Sequence, residues 1–242
     1  MRADLYLVTH GHFDTRARAQ AAIHAGRVRV NGEVVRKPSQ TIAEDAQIEA
    51  EAEHPFVSRA ALKLVAGLEA FSVNPQARVC LDVGSSTGGF TQVLIQRGAE
   101  RVYAVDVGRD QLHESLRGNP RVVSLEATDA RVLTRAEIPE SPSLIVCDAS
   151  FISLAKLLSV PLSLAADNAD LIALFKPQFE VGRGHIGKGG IVRPGAPVEE
   201  ALDAFARWLD GQGWQVGVTQ PSPVTGGDGN LEYLVHARRR SR

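Results

Sequence analysis

The chain has 242 residues, 44% of them hydrophobic and 23% charged, with a formal net charge of −1. That length accommodates one large domain and one small one, and the composition is that of an ordinary globular protein. A net charge near zero makes no global claim on nucleic acid, so any such claim must rest on local patches.

Residues 1–53 differ in style from the rest. Thr15 is placed to cap a helix through Arg16, Ala19, Ala22 and Ile23, with Gly26 as its C′ residue. Val28-Arg29-Val30 and Glu33-Val34-Val35 alternate about Asn31-Gly32, which predicts a hairpin. Lys37-Pro38-Ser39 breaks the strand, and residues 41–51 offer one more strand and then an acidic run. Through residue 42, seven Lys or Arg stand against three acids, mostly on the helix and hairpin. Such a patch is the footprint of a phosphate-backbone binder, with a solvated charged face as the alternative.

The runs RADLYLV and TRARAQAAIHAGRVRVNGEVVRKPS resemble the S4-type RNA-binding fold, with Ala3 and Thr15 mild departures from its usual leucine and serine. The resemblance implies binding of structured RNA, with Arg2, Arg16, Arg18, Arg27, Arg29 and Lys37 as contacts and Arg59 as a further one beyond the linker.

His54-Pro55-Phe56-Val57 reads as that linker, so the second domain is expected over 58–242. Ser58 begins a helix that turns Ala61, Leu62, Leu64, Val65 and Leu68 to a core. Lys63 lies off that stripe, which by residue type alone makes it a surface lysine. Val79 to Val83 reads as a buried strand and runs into Gly84-Ser85-Ser86-Thr87-Gly88-Gly89, after which Phe90, Val93, Leu94 and Ile95 follow at helical spacing. A strand, a glycine-rich turn and a helix open a nucleotide-binding α/β domain, yet GSSTGG is neither the dinucleotide fingerprint nor a P-loop. Asp82 at the strand end would repel a phosphate and attract an ammonium or sulfonium group. S-adenosylmethionine carries both cations and no phosphate. On this reading Asp82, Gly84 to Gly89 and Phe90 hold the donor. Asp106 and Val107, at the end of the next strand, take its ribose, and Asp129 and Ala130 meet its adenine.

The alternation continues with strands at 122–125, 144–147 and 170–175 and helices near 111–116 and 153–165. This predicts a parallel sheet with ligands outside the strand carboxyl ends, the edge on which Asp82, Asp106, Asp148 and Lys176 all fall. Residues 181–196, VGRGHIGKGGIVRPGA, are too glycine-rich to pack as an element and read as a mobile loop with Arg183, Lys188 and Arg193 towards an anion, or as a plain surface loop. A helix at 198–212 and strands at 214–220 and 231–237 close the chain, the last two as an antiparallel hairpin. Cys80 and Cys147 fall in buried strands and read as reduced core residues, neither disulfide nor metal ligand. The start of the chain lacks the apolar core of a signal peptide, and its most apolar run, 157–166, is half of a membrane span. The expectation is a cytoplasmic protein with no membrane contact and no metal.

Methyl transfer to a ribose 2′-hydroxyl needs a base, and a lysine serves only when burial or a second cation draws its pKa towards the operating pH. The chain offers Lys63, Asp148, Lys176 and Glu232. These complete a second resemblance. K-L before the first strand, DVGSSTGGF, CDASF, FKPQFE, KGGIVRP and GNLEYL are similar, in order, to the TlyA family. In that family an S4-type domain is fused to an FtsJ/RrmJ-like ribose methyltransferase domain, and its members were named haemolysins. The resemblance implies a Rossmann-like S-adenosylmethionine-dependent methyltransferase sheet, mostly parallel with an antiparallel last strand, behind a small α+β RNA-binding domain. It further implies a tetrad of Lys63, Asp148, Lys176 and Glu232 with Lys176 as general base, and 2′-O-methylation of cytidine in ribosomal RNA of either subunit. A membrane-active haemolysin and a catalytically retired ribosome-assembly factor are the competing readings.

Overall fold

The computed structural model describes residues 1–52, 54–226 and 229–240. Glu53, at the expected end of the first domain, and Gly227-Asp228 of the glycine-rich turn lie outside them. Two compact units result, Met1–Pro55 and Phe56–Arg242.

The first unit holds α1 (Ala3–Thr9), α2 (Arg16–His24) and a small antiparallel sheet in the order β2-β1-β3, from β1 (Val28–Val30), β2 (Glu33–Val34) and β3 (Ile48–Ala50). Thr15 caps α2 by accepting the N–H of Arg18 at 3.3 Å. The hairpin forms because Asn31 and Gly32 both adopt positive φ, +50° and +82°, the condition for a type I′ turn. Its core is Ala3, Tyr6, Leu7, Phe13, Ala19, Ala22, Ile23, Val28, Val35 and Ile42. The strand expected within 41–51 is short, confined to β3.

The second unit contains α3 (Ala60–Ala70), β4 (Val79–Val83), α4 (Gly89–Gln96), β5 (Arg101–Val105), α5 (Glu114–Arg117), β6 (Val122–Leu125), β7 (Leu144–Cys147), α6 (Leu154–Ser163), β8 (Asp170–Phe175), α7 (Pro177–Glu180), α8 (Val198–Gly211), β9 (Trp214–Pro221) and β10 (Tyr233–Arg239). One seven-stranded sheet results, ordered β6-β5-β4-β7-β8-β10-β9. β6 through β8 are parallel, and β10 runs antiparallel to both its neighbours.

Alternate residues of each strand serve opposite layers, as the two-residue strand period requires. Cys80, Val102, Leu144, Val146, Ile172 and Leu174 pack against α3 and α4. Leu81, Tyr103, Ile145, Cys147, Leu171, Ala173 and Phe175 pack against α6 and α8. Both cysteines are free, and burial pushes each thiol up to about 12. Chain order runs outward from β4 through β5 to β6, then returns to β7 beside β4. That reversal opens a crevice at the carboxyl ends of β4 and β7, where a ligand fits in such sheets.

Candidate active site

Three adjoining clefts lie along the carboxyl edge of the second unit's sheet. The largest, about 600 Å³, is walled by Gly84 and Ser86 after β4, Asp106 and Val107 after β5, and Asp129 and Ala130, which lead into a 3₁₀ turn after β6. A smaller one, about 230 Å³, is lined by Gly84, Ser85, Ser86, Thr87, Gly89 and Phe90. The third, about 440 Å³, is bordered by Lys63, Asp148, Lys176 and Glu232 together.

The glycine loop has its sequence for geometric reasons. Gly84 has φ +81°, and a Cβ there would stand 3.0 Å from the Cα of Ala149, so the loop passes the end of β7 only as glycine. Gly88, at φ +93°, is pressed on by Leu112 and Leu116 and stands behind the cleft walls. Asp106 accepts the N–H groups of Ser86 at 2.9 Å and Gly108 at 2.7 Å, which ties the loop after β4 to the end of β5. Val107 leaves 73% of its surface open although apolar, because it forms part of the cavity wall. Asp129 is paired with the guanidinium of Arg131 at 2.6 Å.

Asp82 behaves differently from a cation receptor. It is fully buried, borders none of the three clefts, and accepts the Thr91 hydroxyl at 2.6 Å. Burial pushes its carboxyl up to about 7, with Thr91 pulling the other way and Asp148 and Asp106 adding to the rise. Its place is beneath the glycine loop, joining β4 to α4.

The four residues expected to form a tetrad meet as two ion pairs. Lys63 Nζ lies 2.5 Å from Glu232 Oε2 and Lys176 Nζ lies 2.6 Å from Asp148 Oδ1. Lys63 and Lys176 are each 7% exposed and Glu232 2%, so Lys63 is no surface lysine. Glu232 comes just before β10, Asp148 just after β7 and Lys176 just after β8, while Lys63 reaches in from α3.

Residues 181–196 pack more closely than their glycines suggest. Two 3₁₀ turns and a bridge between Ile186 and Val192 shape them. Asn230, 4% exposed, accepts the Val192 N–H and donates to the Gly190 carbonyl, both at 2.9 Å. Arg183, Lys188 and Arg193 are exposed.

In the first unit the candidate RNA contacts are mostly engaged. Arg2 and Arg16 grip the buried Asp4 at 3.1 and 2.8 Å. Arg18 pairs with Asp14, Arg27 with Glu51, and Arg29 donates to the Gly32 carbonyl. Lys37 is exposed, as is Arg59 in the second unit.

Two residues without an assigned role stand out. Phe151 is 91% exposed beside the tetrad, at φ +68°. Ser150 accepts a hydrogen bond from Lys176. The sequence carried a signal for Phe151, an aromatic between a strand-end acid and a helix, but none for Ser150.

Residues 56–239 match the FtsJ-like methyltransferase family and residues 1–48 match the S4 domain. Over 98% of this chain and 89% of the relative, the sequence is 44% identical to the 16S/23S rRNA (cytidine-2′-O)-methyltransferase TlyA of Mycobacterium tuberculosis. It is 40% identical to Hemolysin A of Brachyspira hyodysenteriae over 98% of this chain and 99% of that one. A solved hemolysin-named structure from Streptococcus thermophilus, 38% identical, superposes with a TM-score of 0.78 over 99% of this chain and 88% of that one. The chain belongs to the TlyA family of FtsJ-like methyltransferases. It is therefore an S-adenosylmethionine-dependent methyltransferase carrying an S4 domain.

The largest cleft suits the cofactor of the TlyA family. Its walls combine acids, at Asp106, Asp129 and Asp148, with apolar Val107, Ala130, Ile152 and Leu157. Among the described residues its one basic group, Arg131, is spent on Asp129. Such a surface accepts a cationic nucleoside and disfavours a phosphate. Among the described residues no cluster of His, Cys, Asp and Glu could hold a metal ion, and no helix is long and apolar enough to cross a membrane.

Proposed function

We propose that this protein methylates the ribose 2′-hydroxyl of a cytidine in ribosomal RNA, with Lys63, Asp148, Lys176 and Glu232 as its catalytic tetrad. One observation carries the reading: two lysines and two carboxylates form two nearly dry ion pairs around a single cleft that adjoins the cofactor cavity. Substrate class comes from the M. tuberculosis relative, whose name includes both 16S and 23S rRNA.

Bound S-adenosylmethionine supplies a methyl group on a sulfonium sulfur. Gly84, Ser86, Asp106, Val107, Asp129 and Ala130 hold it, and Asp148 stands where its cavity meets the tetrad cleft. Lys176 takes the proton of the 2′-hydroxyl as the oxygen becomes nucleophilic, and Asp148 balances the resulting ammonium. Lys63, steadied by Glu232, donates to the ribose and fixes its approach. Phe151 offers an exposed ring face to the base. The S4 domain grips the RNA backbone through Arg2, Arg16, Arg18, Arg27, Arg29 and Lys37, assisted by Arg59. This reading places the protein with ribosomes in the cytoplasm.

Transfer of labelled methyl from S-adenosylmethionine to small subunits, large subunits, assembled ribosomes and naked rRNA tests the function. Incorporation at a 2′-oxygen of cytidine is expected, and none with any substrate overturns it. Lys176→Ala should lower transfer by about 10²–10⁴-fold while cofactor affinity stays unchanged. A large loss of cofactor binding would remove Lys176 from the role of base.

A further inference from the structure

Asp148 and Ser150 are the two residues that border all three clefts. Asp148 has a tetrad role; Ser150 has none so far. Its Oγ accepts a hydrogen bond from Lys176 Nζ at 2.9 Å, while Asp148 Oδ1 lies 2.6 Å from the same nitrogen. A neutral primary amine has two N–H bonds and one lone pair. The Ser150 hydroxyl accepts one N–H bond and so sets the rotation of the amine, while Asp148 Oδ1, an ion partner without a hydrogen bond, repels the lone pair from its side. Without the Ser150 acceptor, the amine can rotate about its Cε–Nζ bond and point the lone pair elsewhere.

We propose that Ser150 is a positioning residue for the methyl transfer: it holds one N–H bond of Lys176 while the charge of Asp148 keeps the lone pair off its own side, so that the lone pair is aimed at the ribose 2′-hydroxyl. The inference rests on the reading of Lys176 as base. It serves the step in both protonation states. Before transfer, the lone pair receives the hydroxyl proton. Afterwards, the ammonium keeps its hydrogen bond to Ser150 and its ion pair with Asp148, and the new N–H stays on the oxygen's side.

The serine is held well enough to do this. Phe151, with φ +68°, reverses the backbone and sends its own ring outward. That ring packs against Phe179 with centroids 5.3 Å apart. Further along, the Leu154 N–H donates to Glu180 Oε1 at 2.8 Å. Phe179 and Glu180 belong to α7, which begins immediately after Lys176. Loop and lysine are thus fastened to the same short helix. Such support from surrounding residues is what fixes a catalytic geometry.

Ser150→Ala, Ser150→Thr and Lys176→Ala would be compared with wild type in steady-state methyl transfer, on whichever ribosomal substrate the wild type accepts. Because misorientation of a catalytic group costs up to about 10²-fold, Ser150→Ala should lower kcat by about 10- to 100-fold. Its KM for RNA and its calorimetric affinity for S-adenosylmethionine should match wild type. Ser150→Thr keeps the hydroxyl, the exposed position leaves room for its methyl group, and it should recover most of kcat. Wild-type kcat in Ser150→Ala, a loss confined to KM, or a threonine variant as slow as the alanine one would overturn the assignment. The two levels separate cleanly. Wild-type turnover by Lys176→Ala defeats the reading of the base, whereas an inactive Lys176→Ala beside a fully active Ser150→Ala defeats the serine alone.

Discussion

Glu180 sits half-buried at the end of α7, and burial pushes its carboxyl up to about 7, with the Leu154 N–H pulling the other way. Because its folded pKa is raised above the ordinary 4.5, the charged form burdens the folded state. Its contribution to stability is therefore full below about pH 4.5 and is lost as pH rises through about 7. Glu180→Gln keeps an acceptor for the Leu154 N–H and removes the titration. The variant should melt higher than wild type at pH 8, with the gap closing towards pH 4.5. Melting curves across that range check it, and parallel Tm-versus-pH profiles would show that Glu180 does not titrate there. Lys63 shows how far a single residue's pattern can be read. Its offset from the apolar stripe of α3 was legible, yet offset from a stripe does not mean exposure. Lys63 is buried because Glu232, 169 residues away in the chain, arrives beside it.

Elements were the most legible level, since strand alternation and glycine punctuation are local properties. Their edges moved where tertiary pairing decided. β10 starts at Tyr233 opposite Phe175, which leaves Glu232 outside the strand and at the cleft. The segment 181–196 is folded because Asn230 pins it, a contact that no local pattern encodes. At the other end of the sheet, Asp170 opens β8 and accepts Arg78 at 2.9 Å, His236 at 2.9 Å and Arg238 at 3.2 Å. His236 in turn stacks on Phe71. Burial acts to raise the Asp170 carboxyl, but these partners outweigh it and bring it down to about 2. A depressed carboxylate stabilises the fold above its ordinary 3.8, and that stability is lost as pH falls through about 2. Asp170→Asn should cost about 2 kcal/mol near neutrality, as for hydrogen bonds to a charged group. Urea unfolding measures this. A wild-type advantage that survives below pH 2 would contradict the mechanism.

At the scale of the whole molecule, the chain divides its work between two units with separate cores. The proposed cofactor cavity and the proposed tetrad lie entirely in the second, so a fragment of residues 56–242 should bind S-adenosylmethionine as the full chain does. Its RNA binding should be weaker and less sensitive to salt, because the slope of log affinity against log salt shrinks by about 0.7–0.9 for each phosphate no longer neutralised. Filter binding over a salt series reads both. Equal slopes for fragment and full chain would exclude the first unit from the RNA interface. The arginines of that unit are largely held by acids, Arg2 and Arg16 by one buried Asp4. Such pairing fixes where the guanidinium groups stand at the expense of some free charge.

From the amino-acid order alone came the two-domain plan, the alternation of strands and helices, the glycine turn, and the placement of Asp106, Asp148 and Lys176 at strand ends. Each depends on periodicity or on backbone permissiveness, which neighbouring residues settle between themselves. Motif resemblance added the family and the proposal of a four-residue tetrad. Only the tertiary structure decided that Asp82 faces inward beneath the loop, that Glu232 stops short of its strand to meet Lys63, and that Ser150 completes the grip on Lys176. Those facts arise where distant segments converge, and burial and hydrogen bonding there depend on partners that lie far along the chain.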